Sequence, residues 1–265
     1  LWVTSLIYLL CTLFKYVGEF KKRVVLESEL LIAKQIQDSF LPAILPEIEG
    51  FDMAVAMNTA RQVGGDLYDV RKFGNQKFGV MIGDVMGKGI PASLFMAMVA
   101  SSFKFYAQPG IRPEQALFDL NEKIVRESST HRFVTVFYAV FDLENRVMAY
   151  ANGGHMPVLY FPRNQQPSSL DVEEGLPLGM MKGSYSGKEI NFEQGDIFVY
   201  YTDGITEAMN AKSEMYTTQR LISLIELNKS LSAVKLCEAV EKDVTKFLAK
   251  RGQQDDITVI VIKIN

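Results

Sequence analysis

The chain has 265 residues, of which 48% are hydrophobic and 22% are charged, and its formal net charge is −3. That length supports one large domain or two small ones, and the slightly acidic balance argues against nucleic acid as a partner. Two cysteines and two histidines leave little material for a disulfide framework or a zinc site.

Residues 1–17 form an apolar segment that carries no charged residue before Lys15. A membrane-spanning helix needs about 20 apolar residues, so this segment alone is short. Two interpretations stay open: the end of a transmembrane helix, which would anchor a cytoplasmic catalytic domain, or a helix of an upstream domain. Because the chain begins at Leu1, we expect a sensor or membrane domain to precede it.

Residues 18–46 are predicted to form an amphipathic linker helix with a regulatory role. The helical pattern runs from Gly18 to about Leu41, and Pro42 and Pro46 end it because proline lacks the amide donor. One broad half of the helical wheel is apolar, and we expect it to pack on the following domain. Its members are Val25, Leu26, Leu30, Ile32, Ala33, Ile36, Phe40 and Leu41.

A second apolar feature lies on the opposite flank of this helix. Val17, Val24 and Leu31 recur every seven residues, which is typical of a coiled-coil seam. Over so few heptads, the pattern fits either pairing with a second copy of the helix or a solvated flank. A homodimer through the linker helix is therefore one expectation from the sequence.

Residues 47–265 are predicted to form a single domain in which hairpins alternate with helix pairs. Helices are expected after Pro91 and after Pro113, and again at about 217–228 and 231–250. Strands are predicted for "FDMAVAM", "LYDVRKF", "KFGVMIGDV", "FVTVFYAVFDL", "RVMAYANGG", "VLYF", "IFVYYTDG" and "DDITVIVIKI". This order favours an α+β fold of stacked antiparallel sheets with helices outside, rather than repeated βαβ units.

Acidic residues stand at the ends or starts of several apolar strands. They are Asp66 and Asp69 in "GGDLYDV", Asp84 in "GDVMGKG", Asp203 in "YYTDGITE", and Asp255 and Asp256 in "GQQDDITV". Carboxylates gathered at one rim of a sheet repel one another unless a cation neutralises them. All-oxygen ligands suit Mg²⁺ or Mn²⁺. The alternative is that aspartate and glycine simply form turns at strand ends, which explains one motif more easily than four.

These motifs resemble those of the bacterial PPM-type, metal-dependent serine/threonine phosphatases of the RsbU and SpoIIE kind. The resemblance covers about residues 30–265 and rests on six motifs in order: "VGGDLYDV", "GDVMGKGIPASLFMAM", "NGGHMPVLY", "GLPLGM", "YYTDGITEAMN" and "QQDDITVIVI". It implies a two-sheet sandwich flanked by helix pairs, with a two-metal centre at one end.

The resemblance also implies roles for individual residues. Asp84 matches the acid that bridges the two metals, and Val85 stands where the family offers a backbone carbonyl to one ion. Asp203 and Asp255 match other acids of the metal centre, and Asp66 matches an acid on or near the second ion. The catalytic set is thus Asp66, Asp84, Asp203 and Asp255.

Three further residues of these motifs are harder to assign. Asp69 and Asp256 are both less certain acids of the centre, and the alternative for Asp256 is that it caps the turn. His155 in "NGGH" is expected to stabilise its turn rather than to act as a general acid. Gly153 stands where relatives often have alanine.

Two divalent cations in such a centre would activate a water molecule for in-line attack on a phosphoserine or phosphothreonine. In the family the substrate is usually a STAS-type anti-anti-sigma factor in a partner-switching pathway. Two other functions are considered: a non-catalytic scaffold of the same fold, which is expected to lose acids that this chain keeps, and a nucleotidyl cyclase. "GGDLYD" lacks the acid that follows "GGD" in the cyclase loop.

Overall fold

The computed structural model describes residues 2–127, 132–170, 172 and 175–265. Its first element is one long helix, α1 (Trp2–Asp38), which continues through residues 17 and 18 without a break. The helix ends four residues before Pro42, as the proline pattern predicts. None of the helices in the described part of the chain combines the length and apolarity needed to cross a membrane.

The domain after α1 contains two five-stranded antiparallel sheets, which confirms the predicted α+β fold of stacked sheets. In spatial order, the first sheet contains β1 (Phe51–Asn58), β10 (Ile257–Ile264), β9 (Ile197–Tyr201), β6 (Val158–Phe161) and β7 (Ser168–Leu170). The second sheet contains β2 (Leu67–Phe73), β3 (Lys77–Val85), β4 (Val134–Asp142), β5 (Val147–Gly153) and β8 (Gly187–Asn191).

A helix pair covers the outer face of each sheet, as predicted. Helices α2 (Ile90–Tyr106) and α3 (Pro113–Glu127) pack on the second sheet. Helices α5 (Thr218–Leu227) and α6 (Ala233–Leu248) pack on the first. A single turn, α4 (Asp203–Thr206), follows β9, and a 3₁₀ turn (Ala249–Arg251) follows α6.

The two-residue period of the strands explains how three apolar layers form from one chain. In β4, Val136 and Tyr138 face α2 and α3, whereas Phe137 and Phe141 face the other sheet. Strand β10 lies between β1 and β9 in the first sheet, and it is apolar on both faces because one face packs on α6 and the other on the second sheet. Its assignment as an interior strand is thereby confirmed.

The structure differs from the sequence predictions in two short strands. Neither β7 nor β8 was predicted. Both have three to five residues that are mostly exposed or half-buried, so they lack the apolar run or alternation by which a strand is recognised.

The apolar half of α1 is largely exposed, contrary to the expectation that it packs on the domain. Val25, Leu26, Ile32 and Ile36 all face solvent. The side that is at least partly buried is a narrow stripe of Leu30, Ala33, Lys34 and Gln37, followed by Phe40 and Leu41. Among the side chains of α1 that the structure describes, those that reach the domain lie in the last turns of the helix.

Candidate metal centre

Four of the predicted acids meet at one end of the sandwich. Asp66 precedes β2 directly, and Asp84 is the last residue but one of β3. Because Leu67 pairs with Gly83, the antiparallel register places Asp66 beside Asp84. On the other sheet, Asp203 begins α4 and Asp255 lies two residues before β10. The structure therefore brings together acids from both sheets.

The crowding of these carboxylates is reflected in raised pKa values for three of them. Burial, reinforced by the charges of Asp203 and Asp255, raises the pKa of Asp84 to about 7. Burial and the charge of Asp84 raise the pKa of Asp66 well above its usual range. The pKa of Asp203 is raised by burial and by the charges of Glu207 and Asp255. The cluster carries more negative charge than its surroundings neutralise.

Two threonine hydroxyls fix the carboxylate of Asp66. Thr202 and Thr258 donate to the same oxygen, Oδ2, at 2.9 and 2.5 Å. The backbone N–H of Thr258 donates to the Thr202 hydroxyl at 3.0 Å, so the Thr202 side chain is itself held in place. Both side chains are fully buried. Sequence reasoning missed both, although each stands within three residues of a predicted acid.

The glycines of the "GGD" motif allow the backbone to approach this cluster closely. A Cβ at Gly65 would lie 2.9 Å from the carbonyl oxygen of Val85 and 3.4 Å from Asp84 Oδ1. The Val85 N–H donates to the Gly65 carbonyl at 3.3 Å, which joins this loop to the end of β3. Val85 is therefore next to the cluster, and the role of its carbonyl as a ligand stays a prediction.

Asp256 and Asp69 have structural partners of their own, although the charge of Asp256 also raises the pKa of Asp66 and of Asp84. Asp256 accepts hydrogen bonds from the N–H groups of Ala60 and Gly65, at 2.8 and 2.6 Å, and so caps the loop before Asp66. Asp69 forms an ion pair with Arg71 at 2.7 Å, and Arg71 also donates to the carbonyl of Lys104 at the end of α2. Of the two carboxylates in "GGDLYD", only Asp66 belongs to the cluster.

Lys88 was not predicted as a site residue, yet its ammonium lies beside the acids. It contacts Asp255 Oδ2 at 2.8 Å and the carbonyl of Gln254 at 2.6 Å, and its charge opposes the rise in the pKa of Asp203. Lys88, Asp203, Glu207 and Asp255 line a cleft of about 170 Å³. A larger cavity of about 410 Å³ between Lys77 and Glu189 contains none of the predicted acids.

His155 has a structural role in its turn. Its backbone N–H donates to Asn152 Oδ1 at 2.8 Å, and Asn152 Nδ2 donates back to the His155 carbonyl at 2.9 Å. Its Nδ1 lies 2.8 Å from the hydroxyl of Thr135, which donates to the carbonyl of Asp84 at 3.3 Å. Burial lowers the pKa of His155 to about 4, so the ring is neutral near pH 7.

The donor set fits hard divalent cations, because it consists of carboxylate and carbonyl oxygens around uncompensated negative charge. As the side chains stand, no group of three or more acids, histidines or cysteines within the described residues surrounds one point. Asp255, for example, is turned toward Lys88. The acids that converge are thus the expected ones, and their role as metal ligands stays a prediction.

Comparison with known proteins identifies related sequences. The family model of Stage II sporulation protein E (SpoIIE) matches residues 74–265. Phosphoserine phosphatase RsbU of Bacillus subtilis (strain 168) is 30% identical over 240 residues, which are 90% of this chain and 70% of RsbU. Protein IcfG of Synechocystis is 27% identical over 290 residues, which are 98% of this chain and 45% of IcfG.

A solved structure shares the fold. The SiaA-PP2C domain of Pseudomonas aeruginosa superposes with a TM-score of 0.81 at 18% identity, and the match covers 92% of this chain and 98% of that domain. At this level of identity the likeness concerns the fold alone.

Proposed function

The chain belongs to the Stage II sporulation protein E (SpoIIE) family and is a serine/threonine protein phosphatase, and on that premise we propose that it is metal-dependent and uses two Mn²⁺ or Mg²⁺ ions. The observation that carries this proposal is the convergence of Asp66, Asp84, Asp203 and Asp255, with the pKa of Asp84 raised to about 7. Such a cluster is costly to build unless cations occupy it.

The residues of the centre act together in this proposal. Asp66, Asp84, Asp203 and Asp255 would hold the two ions, together with the backbone carbonyl of Val85. When bound, the two ions lower the pKa of a water molecule and offset charge that develops on the phosphoryl oxygens. The threonine pair, Thr202 and Thr258, keeps the Asp66 carboxylate in one orientation.

Lys88 places a positive charge on the lining of the cleft. Once cations neutralise the acids, the Lys88 ammonium would release Asp255 and bind a phosphoryl oxygen of the substrate instead. The exchange is feasible because both partners are anionic oxygens. The cleft of about 170 Å³ accommodates a phosphorylated side chain rather than a bulky metabolite. We therefore expect specificity to come from protein surface around the cleft.

The thiol of Cys237 is unsuited to a covalent mechanism. Cys237 is buried in α6, and burial raises the pKa of its thiol to about 12. It is therefore a neutral core residue at pH 7. Direct attack of water needs no phosphorylated enzyme intermediate.

The proposed substrate is a STAS-type anti-anti-sigma factor in a partner-switching pathway. The support is the similarity to RsbU, which is named a phosphoserine phosphatase. We propose a cytoplasmic catalytic domain, residues 47–265, that receives a signal through the linker helix at 18–46. The apolar segment 1–17 would connect it to an upstream sensor or membrane domain.

A homodimer through α1 is part of this proposal. Val17, Val24 and Leu31 are all exposed, at 41%, 47% and 61%, on the part of α1 that extends from the domain. Replacing Val24 and Leu31 with glutamate should therefore reduce self-association in sedimentation and change the phosphatase rate. An unchanged association state together with an unchanged rate would leave the helix as a passive tether.

The function is tested by phosphate release from a phosphoserine-carrying STAS-type protein in the presence of Mn²⁺, before and after chelation. We expect release that depends on Mn²⁺, and a much lower catalytic efficiency on an aryl phosphate. Absence of release from both substrates would favour a scaffold. Equal efficiency on the two would indicate a small-molecule phosphatase.

A further inference from the structure

Helix α1 inserts one polar side chain into the domain. Gln37 is 2% exposed, and it is the only residue of α1 that is buried among those whose side chains the structure describes. Burying an amide without hydrogen-bond partners costs free energy, so its partners show what the residue does there.

Both polar atoms of Gln37 bind the backbone of one glycine. Its Nε2 donates to the Gly64 carbonyl at 2.7 Å, and its Oε1 accepts from the Gly64 N–H at 3.1 Å. A Cβ at Gly64 would lie 2.4 Å from Asp256 Oδ2, so no larger residue fits between the amide and Asp256. The helix thus holds this loop by its main chain.

The loop that Gln37 holds is the one that leads into the metal centre. The next residue, Gly65, donates to Asp256 at 2.6 Å and accepts from the Val85 N–H at 3.3 Å. Asp66 follows immediately. Of the four polar backbone groups of Gly64 and Gly65, two are bound by Gln37, one by Asp256 and one by Val85. Loss of Gln37 removes half of these constraints.

The position of Gln37 is set in turn by how the end of α1 sits on the domain. Lys104 Nζ of α2 donates to the carbonyl of Phe40 at 2.8 Å, and the Tyr68 hydroxyl donates to the carbonyl of Pro42 at 3.3 Å. Phe40 and Leu41 pack against the core beneath α2. A shift of α1 relative to α2 therefore moves the amide that holds Gly64.

We propose that Gln37 is a positioning residue of the metal centre: it couples the seating of α1 to the placement of Asp66 and Val85. The inference rests on the proposed function, since it assumes that these groups bind a cation. Gln37 itself touches neither cation nor substrate. Its hydrogen bonds restrict the conformations of the loop, so less conformational entropy is lost when a cation binds.

The test compares two glutamines of the same helix. Gln37→Met keeps the length of the side chain but removes both hydrogen bonds, whereas Gln35→Met changes an exposed glutamine two residues away. Calorimetry on the full chain should show Mn²⁺ binding weakened about tenfold in Gln37→Met and unchanged in Gln35→Met. The Mn²⁺ concentration for half-maximal activity should rise by the same factor, with the rate at saturating Mn²⁺ within about twofold of the parent.

Amide hydrogen exchange supplies a readout that is independent of activity. The Gly64 N–H should exchange about tenfold faster or more in Gln37→Met than in Gln35→Met, because it loses its acceptor. If Gln37→Met lacks a cooperative thermal transition, Gln37→Asn carries the test. Its amide is one methylene shorter and cannot reach both groups of Gly64, so the same direction of change is expected.

The outcomes separate this inference from the proposed function. Mn²⁺ affinity in the folded Gln37 variant within about twofold of the parent would overturn the inference, whether or not exchange at Gly64 changes. If the parent chain itself binds no Mn²⁺, the proposed function fails first and the inference with it.

Discussion

The acids of the metal centre form two unlike pairs. The inner pair, Asp66 and Asp84, lies at the start of β2 and the end of β3. Asp66 is 1% exposed and is bound by two threonine hydroxyls. Burial is the largest cause of the raised pKa values of both acids. The outer pair, Asp203 and Asp255, lies on the other sheet. The Asp255 side chain is 47% exposed and is neutralised by Lys88.

This difference shows how one centre can be rigid on one side and adjustable on the other. The inner acids are preorganised but uncompensated, so a cation there gains the most electrostatic free energy. Asp255 already has a cationic partner in Lys88 and is screened by solvent, so a cation there gains less than at the inner pair, although burial also raises the pKa of Asp203. We expect the inner pair to dominate metal affinity.

The largest effect is expected from replacing an acid. Asp84→Asn keeps the shape of the side chain but removes its charge, and should lower activity by roughly 100-fold or more while the fold survives. Asp203→Asn should also lower activity by a large factor, with a smaller loss of Mn²⁺ affinity than Asp84→Asn. Phosphate release and calorimetry measure the two effects. Near-parental activity of either variant under saturating Mn²⁺ would contradict the assignment.

A smaller effect is expected from the residues that orient the inner pair. Thr258→Val is nearly isosteric and removes one hydroxyl donor to Asp66 Oδ2, a hydrogen bond to a charged group. We expect Mn²⁺ affinity to fall about tenfold. Thr245→Val, which changes an exposed threonine of α6, serves as the control. Equal Mn²⁺ affinity in the two variants would show that the inner pair needs no such support.

A still smaller effect on metal affinity is expected at the outer pair. Lys88→Met removes the ammonium that competes with a cation for Asp255, so Mn²⁺ binding should tighten by no more than about threefold. KM for the phosphoprotein should rise if the ammonium also contacts the phosphate. Lys235→Met, on the exposed side of α6, is the matched control. Weaker Mn²⁺ binding in Lys88→Met would reverse the proposed difference between the pairs.

The smallest effect on metal affinity is expected at Asp69, although it lies only three residues from Asp66. Its ion pair with Arg71 connects β2 to the end of α2. Asp69→Asn should therefore lower the free energy of unfolding by roughly 2 kcal/mol and leave Mn²⁺ affinity unchanged. Chemical denaturation and calorimetry test the two parts. A loss of Mn²⁺ affinity like that of Asp84→Asn would place Asp69 in the centre.

Local patterns determined most of the secondary structure and the identity of the acids. Alternating or continuous apolar runs predict all the strands except β7 and β8, and Pro91 and Pro113 mark the starts of α2 and α3, because these signals depend on neighbouring residues alone. The short β7 and β8 carry no such signal, and the exposure of Ile32 and Ile36 depends on where the domain lies relative to α1. A helical wheel contains no information about where the domain lies relative to the helix.

Tertiary structure decided which residues work together. Asp66 and its hydroxyl partners are separated by 136 and 192 residues along the chain, and Gln37 and Gly64 by 27. Asp66, Asp69 and Asp256 look alike as acids beside turns, and it is the resemblance to the family that singles out Asp66. The packing of the two sheets brings Asp256 to the loop before Asp66, whereas Asp69 pairs with Arg71 two residues along the same strand. The physical reason is that charge and hydrogen bonding act over a few ångströms in space, whatever the distance along the chain.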